Sequence, residues 1–392
     1  MILHNPLASA PELLIHEYGA IPIRTALLIL TTLHAAAATS AETINVPGDH
    51  ATIQSAINAS IDGDVIEIAA GTYNEFDLST QQKAITVRGA TDAQGLPATT
   101  IDSQGQGTTV MSFNGEGTDT IIEHLVFTGA SETSWAAVTM FHARPTVNNC
   151  TFRDNVTGGI GGGVYNLNGA PSFTDCRFIN NTANWGGGYA CWETGQPDHP
   201  LFDRCTFSGN TAALGGGFAN LRSSPVLVEC IFTDNIATED GGAFFNEGDD
   251  CCERWFGDVV MQSCEFNGNT AVGAGGAIRN RTFGTTTLDG CTISGNAAGL
   301  EGSAIASSTD TTAVLSNTTV CANSGTTDQI DGPTDLDGTN VITDACPADC
   351  EGDVTGDGDV NVTDLLAVIG SWGDPYDVSD LLAVIGGWGE CP

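Results

Sequence analysis

Apolar positions between Val147 and Asn323 recur in one phrase. A large apolar residue is followed three places on by a small one, two places later by a second large apolar one, and three places after that by asparagine. The small, large and asparagine positions are Cys150/Phe152/Asn155, Cys176/Phe178/Asn181, Cys205/Phe207/Asn210, Cys230/Phe232/Asn235, Cys264/Phe266/Asn269, Cys291/Ile293/Asn296 and Thr318/Val320/Asn323. Val147, Phe173, Phe202, Leu227, Met261, Leu288 and Leu315 lead them. Copies follow one another at 26, 29, 25, 34, 27 and 27 residues. Apolar residues two apart place both on one face of a strand, whereas the step of three breaks that alternation and demands a bend between two short strands. A repeat of this length is one structural unit stacked on its neighbours.

Glycines follow the first six asparagines, at Gly161–Gly163, Gly186–Gly188, Gly215–Gly217, Gly241–Gly242, Gly275–Gly276 and finally Gly302. They predict tight corners and close backbone approach. The ladder asparagines themselves are expected at a turn tolerant of left-handed geometry. Upstream, β-type runs fall at Val65–Ile68, Ile85–Val87, Thr99–Ile101, Thr109–Phe113, Ile121–Phe127 and Ala137–Phe141, with turn residues between them. Ile53, Ala56, Ile57 and Ser60 have helical spacing behind a plausible N-cap at Thr52, and a helix there would cap the open end of a solenoid. No helix-period pattern separates the repeats, which disfavours a βαβ barrel. Three short strands in each turn of roughly 25 residues predict an all-β fold, a parallel β-helix.

The phrase F-x-x-N-x-A followed by G-G-G or G-G-A, as in Phe207 to Gly217 and Phe266 to Ala277, resembles the repeats of right-handed parallel β-helix proteins, in particular the chlamydial polymorphic outer-membrane proteins. Val46-Pro47, Thr52 to Ile57 and Gly71-Thr72-Tyr73 resemble the N-terminal turns of the pectin-lyase-like superfamily. This resemblance covers about residues 42–344 and implies a right-handed parallel β-helix, here of roughly ten turns; such folds host many activities.

Residues 346–392 form a different unit. Asp353, Thr355, Asp357, Asn361 and Asp364, with the carbonyl of Asp359, have the spacing of a twelve-residue calcium loop, and Gly358 occupies its sharp turn. The helix predicted after it carries Leu365, Ile369 and Trp372 on one face. A half-copy follows 16 residues on, ending in Asp377, Asp380 and Trp388, with Gly373 where a ligand would stand. The unit resembles a duplicated dockerin of type I. That resemblance implies an EF-hand-like calcium module and a cohesin-like receptor or cell-surface component as partner, and the incomplete second loop puts a second calcium ion and the cohesin contact in doubt.

Charge narrows the partners. Basic residues number 11 against 48 acidic ones, for a net charge of −37, which argues against nucleic acid and anionic membranes. Arg24, the apolar run Ala26–Leu33 and the small residues Ala35–Ala41 predict a signal peptide over residues 1–41, hence a secreted or cell-surface protein with no membrane span in the mature chain. Of the 13 cysteines, six share the repeat position and are expected as buried free thiols. Cys350 with Cys391 is the favoured disulfide, ahead of Cys321 with Cys346.

Catalytic signals are sparse. Asn155, Asn181, Asn210, Asn235, Asn269, Asn296 and Asn323 are expected as a structural ladder of stacked amides. Asp175, Arg204 and Glu229 form an alternating charge column best explained by salt bridges. Carboxylate pairs such as Asp154 with Asp234 or Asp175 with Glu229 are candidates for glycoside chemistry without being specific. Trp135, Trp185, Trp192 and Trp255 stand near turns and insertions, where rings either cover the core edge or stack on sugars. The insertions Gln196–Pro200 and Asn246–Asp258 mark the side where a site would lie. The resulting expectation is a non-catalytic, calcium-binding scaffold that binds carbohydrate or protein and is docked by its C-terminal module; the alternative is a lyase or hydrolase acting on acidic polysaccharide.

Overall fold

The computed structural model describes residues 40–131, 135–192, 199–248, 257–325, 327–337 and 339–346, together with the backbone of Asp359–Val360 and Gly389–Glu390. Four parallel sheets run along the coils. Sheet A has twelve strands, from Thr43–Val46 to Thr334–Leu336; sheet B has eleven, from Gly71–Tyr73 to Val341–Thr343; sheet C has ten, from Leu78–Ser79 to Ile330–Asp331. Sheet D is narrower, five strands of two residues each from Thr211–Ala212 to Ser324–Gly325, so the later coils have four sides and not the three expected. Alanines at its second position (Ala212, Ala237, Ala271 and Ala298) are too short to advertise a strand, yet they pair in register and are buried.

Register holds from coil to coil. Phe152 pairs with Phe178, then Phe207, Phe232, Phe266, Ile293 and Val320. Their rings stack inside the solenoid at centroid separations of 4.9, 4.6, 4.6 and 4.8 Å from Phe152 to Phe266. Such contacts add about 0.5–1.5 kcal/mol per pair beyond burial. Phe173 stacks on Phe202 from sheet A, and Tyr189, Phe218 and Phe244 fill the core from sheet C.

The bend predicted by the step of three is a single residue with left-handed backbone, one place before each small position: Asn149, Asp175, Arg204, Glu229, Ser263, Gly290 and Asn317, with φ between 45° and 64°. His124 takes the same role at φ 58°, which divides the expected run Ile121–Phe127 into Ile121–Glu123 and Leu125–Thr128. The next corner corrects the expectation for the ladder. Its left-handed residues are Asp154, Asn180, Gly209, Asp234, Gly268, Gly295 and Ala322, each one place before a ladder asparagine. The asparagine turns inward because its amide bonds inside the coil; the exposed neighbour absorbs the turn.

The helix Ile53–Ala59 starts at Thr52, whose hydroxyl accepts from the Ser55 amide at 3.2 Å, while Glu75 accepts from the Ile53 and Gln54 amides at 2.8 and 3.1 Å. Ile53, Ala56 and Ile57 enter the core against the first strands of sheets A and C. No helix among the described residues is long and apolar enough to cross a membrane. The predicted signal peptide lies outside the described residues apart from Ser40 and Ala41.

Candidate functional site

Two polar columns stand inside the solenoid. In the first, each asparagine Nδ2 donates to Oδ1 of the next from Asn155 to Asn323, at 2.9–3.0 Å. Each Nδ2 also donates to a carbonyl of the preceding coil, as Asn210 does to Phe178 at 2.9 Å. Gln329 ends the column: Oε1 accepts from Asn323 Nδ2 at 2.9 Å, and Nε2 donates to the Thr343 carbonyl at 2.6 Å. The six asparagines from Asn155 to Asn296 are wholly buried. With both amide ends engaged in the coil stack, this column offers no ligand site.

A second column was not anticipated. Asn166, Cys191, Asn220, Asn246, Asn280 and Ser307 pair in register on sheet C, all buried. Cys191 Sγ donates to Asn220 Oδ1 at 3.0 Å, and Asn220 Nδ2 donates to Asn246 Oδ1 at 2.8 Å. A signal for it exists: each member lies three residues past Gly163, Gly188, Gly217, Ala243, Ala277 or Ala304, the last small residue of its corner.

The repeat cysteines are buried free thiols whose Sγ atoms donate to carbonyls, as Cys176 does to Val147 at 3.4 Å. Burial pushes the Cys150 and Cys191 thiols up to about 12. It also raises Cys205 and Cys230, whereas Cys264 and Cys291 are raised first by the neighbouring thiol. Thr318 keeps the same bonding, its hydroxyl reaching the Ser316 and Leu288 carbonyls at 2.8 and 3.3 Å. Cys321 and Cys346 form a disulfide; Cys350 and Cys391 lie outside the described residues.

The outer charge groups do not converge. Arg204 Nε reaches Asp175 Oδ1 at 2.9 Å and Nη1 reaches Asp203 Oδ2 at 2.6 Å, with Arg204 and Asp175 exposed and Asp203 half-buried, so the pairing stabilises little. Asp154 and Asp234 are three coil steps apart, roughly 14 Å, beyond the separation of a glycosidase pair. Asp175 and Glu229 are separated by the coil that carries Arg204. Of the calcium-loop residues, Asp353, Thr355, Asp357, Asn361 and Asp364 lie outside the described residues, as does the Asp359 side chain. Among the described residues no cluster of three or more His, Cys, Asp or Glu side chains is placed to hold a metal ion.

What does converge lies on the outer face of sheet C. Its outward positions in successive coils are Ser112, Thr139, Tyr165, Ala190, Ala219, Phe245 and Arg279. Trp135, just before the strand Val138–Phe141, meets Phe141 edge-on at 6.1 Å, and Phe141 meets Tyr165 edge-on at 6.1 Å. Two coils after Trp135, the Trp185 and Trp192 rings lie parallel at 6.5 Å and pack with Leu214, Leu221 and Phe245. Asp240 and Arg279 stand farther along at 3.8 Å, and Arg279 Nη2 donates to Ser308 Oγ at 3.2 Å.

At the Trp135 end a cleft of about 370 Å³ opens between Asp77, Thr108, Thr109, Ser112, Thr139, Trp135 and Phe141. Asp77 Oδ1 accepts from the Thr108 amide and hydroxyl at 2.8 and 2.9 Å and fixes that rim. Thr109 donates its hydroxyl to the Ala137 carbonyl at 2.8 Å, and Ser112 donates to Leu78 at 3.3 Å. Their oxygens keep acceptor capacity toward the cleft. Trp135 is 59% exposed, though its neighbours in the row are largely covered. An aromatic wall over a floor of hydroxyls matches the apolar faces and polar edge of a pyranose. Trp255, the fourth tryptophan singled out by sequence, lies outside the described residues.

The fold can now be set beside known proteins. A family model described as the right-handed beta helix region matches residues 138–323. The solenoid is a right-handed parallel β-helix. No curated protein matches the sequence. Similar solved structures include an alginate lyase from Paenibacillus sp. str. FPU-7, at 15% identity over 77% of this chain and 99% of that one, with a TM-score of 0.43. ORF18 of Geobacillus virus E2 is 16% identical over 78% and 62%, with a TM-score of 0.40. A pectin methylesterase mutant in complex with a hexasaccharide is 12% identical over 67% and 80%, with a TM-score of 0.37.

Proposed function

We propose that this β-helix binds carbohydrate along the outer face of sheet C without cleaving it, and that its C-terminal loop holds calcium. The observation that carries the first part is Trp135: an indole 59% exposed beside a cleft with a hydroxyl-rich floor, at one end of a row of aromatic side chains. Coils rise about 4.8 Å each, comparable with the length of one sugar residue, so a glycan laid from Trp135 along the solenoid would pass the half-buried Phe141, Leu167 and Trp192, one per coil, beside the covered row of Tyr165, Ala190 and Ala219. The net charge of −37 repels polyanions and favours a neutral chain.

The test is a panel of neutral and acidic polysaccharides, scored for retention of the protein and for release of reducing or unsaturated ends. Retention by a neutral glycan without end release is the expected result, with affinity falling at least about tenfold in Trp135→Ala, the loss of one stacked ring. End release from any substrate, or retention unchanged by Trp135→Ala, would overturn the reading.

A further inference from the structure

The last coil ends in an open mouth. Ser324–Gly325, Ile330–Asp331, Thr334–Leu336 and Val341–Thr343 are the terminal strands of all four sheets. Between them lies a cleft of about 860 Å³ whose lining includes Gln329, Ile330, Leu336, Ile342 and Asp344. Leu336, Val341 and Ile342 are 47%, 39% and 40% exposed. At the first coil, by contrast, Ile53, Ala56 and Ile57 of the helix are buried in the core. Terminal repeats need cover, because an open sheet edge combines unpaired backbone groups with core side chains.

We propose that the C-terminal segment, residues 347–392, docks on this mouth. Three observations support this occupant. The chain runs from Asp344, in the lining, to Cys346, which the disulfide fastens to Cys321 in the preceding coil with Cα atoms 4.8 Å apart. The segment therefore leaves the solenoid beside the cleft. Asp359 and Val360 pair antiparallel with Glu390 and Gly389, so the stretch between them leaves from and returns to one place. That stretch contains Leu-Leu-Ala-Val-Ile-Gly twice, each followed by one residue and tryptophan, giving two apolar sets: Leu365, Ile369 and Trp372, then Leu381, Ile385 and Trp388. A segment that short buries only part of its apolar surface alone, and the apolar surface at the point where it leaves the solenoid is the mouth. This proposal does not rest on the carbohydrate reading.

A benzophenone side chain placed at Leu336 or Ile342 of the full chain tests it. Illumination is expected to give links within one chain to peptides spanning 365–372 or 381–388. Links between chains, which would mean that a second copy occupies the mouth, or no links at all, would overturn it. Amide exchange in the full chain gives a second readout. In Trp372→Ser/Trp388→Ser, exchange across Thr334–Leu336 and Val341–Thr343 should accelerate at least tenfold while the ladder coils keep their rates. Unchanged exchange at those strands would also count against docking.

Discussion

Asn210 shows how one residue ties three coils together. Its Nδ2 donates to Phe178 O and Asn235 Oδ1, its backbone amide donates to the same Oδ1, and its own Oδ1 accepts from the amide and side chain of Asn181. Removing the side chain leaves two buried donors on Asn181 unpaired and takes a donor from the Phe178 carbonyl and from Asn235 Oδ1, so Asn210→Ala should lower stability by about 2–4 kcal/mol, read as a shift of the urea midpoint. The thiols make a second residue-scale prediction. The Cys150 and Cys191 thiols are held up to about 12 by burial, whereas unfolded thiols ionise near 9. The folded state therefore binds more protons in that window. This contribution is full below about pH 9 and is lost as pH rises toward 12. The urea midpoint should fall across that window, and fall less steeply in Cys150→Ala/Cys191→Ala. An unchanged slope would show that the thiols are not the titrating groups.

The corners decide the shape of each coil at the element scale. A Cβ on Gly242 would stand 2.1 Å from the Gly276 carbonyl oxygen and 2.7 Å from the Thr270 backbone, so adjacent coils approach through this residue. Neither neighbour is a flexible side-chain tip. Gly242→Ala should therefore cost at least about 2–3 kcal/mol and disturb strand register locally. Thermal melts of this variant beside Gly159→Ala are the check; at Gly159 the nearest atom is 3.5 Å away. Much of the element level was legible in sequence. The step of three foretold a bend, and the repeats foretold parallel strands. The left-handed residue was assigned one place late, because the sequence marks the chemically conspicuous asparagine, whereas the geometry falls on an exposed neighbour as varied as Asp154, Gly209 and Ala322.

At the scale of the whole chain, the β-helix and the C-terminal loop make separate demands. In the proposed calcium loop, six oxygens, five from side chains and one from the Asp359 carbonyl, would supply hard donors for a divalent cation. Calorimetric titration of the full chain should show calcium binding that Asp353→Ala/Asp357→Ala reduces at least about tenfold, since it loses two charged ligands. Equal affinity in wild type and variant would reject that ligand set. The charge bears on the proposed glycan binding: at −37 the molecule repels acidic chains, so among polysaccharides a neutral one is the expected ligand.

The amino-acid sequence by itself determined the coil. Periodic placement of cysteine, phenylalanine and asparagine selects a stack in which equivalent side chains meet, since only that arrangement buries every copy equally. Tertiary structure alone decided what the outside looks like. Trp135, Phe141, Tyr165, Trp185 and Trp192 make no continuous run through the repeats, since Leu167 stands between Phe141 and Trp192 at the register position they share, yet the winding of the chain gathers them on the outside of the coils near sheet C. The physical reason is that core positions must match their neighbours above and below, which imprints a period, whereas outward positions answer to solvent and ligand, which imprint none.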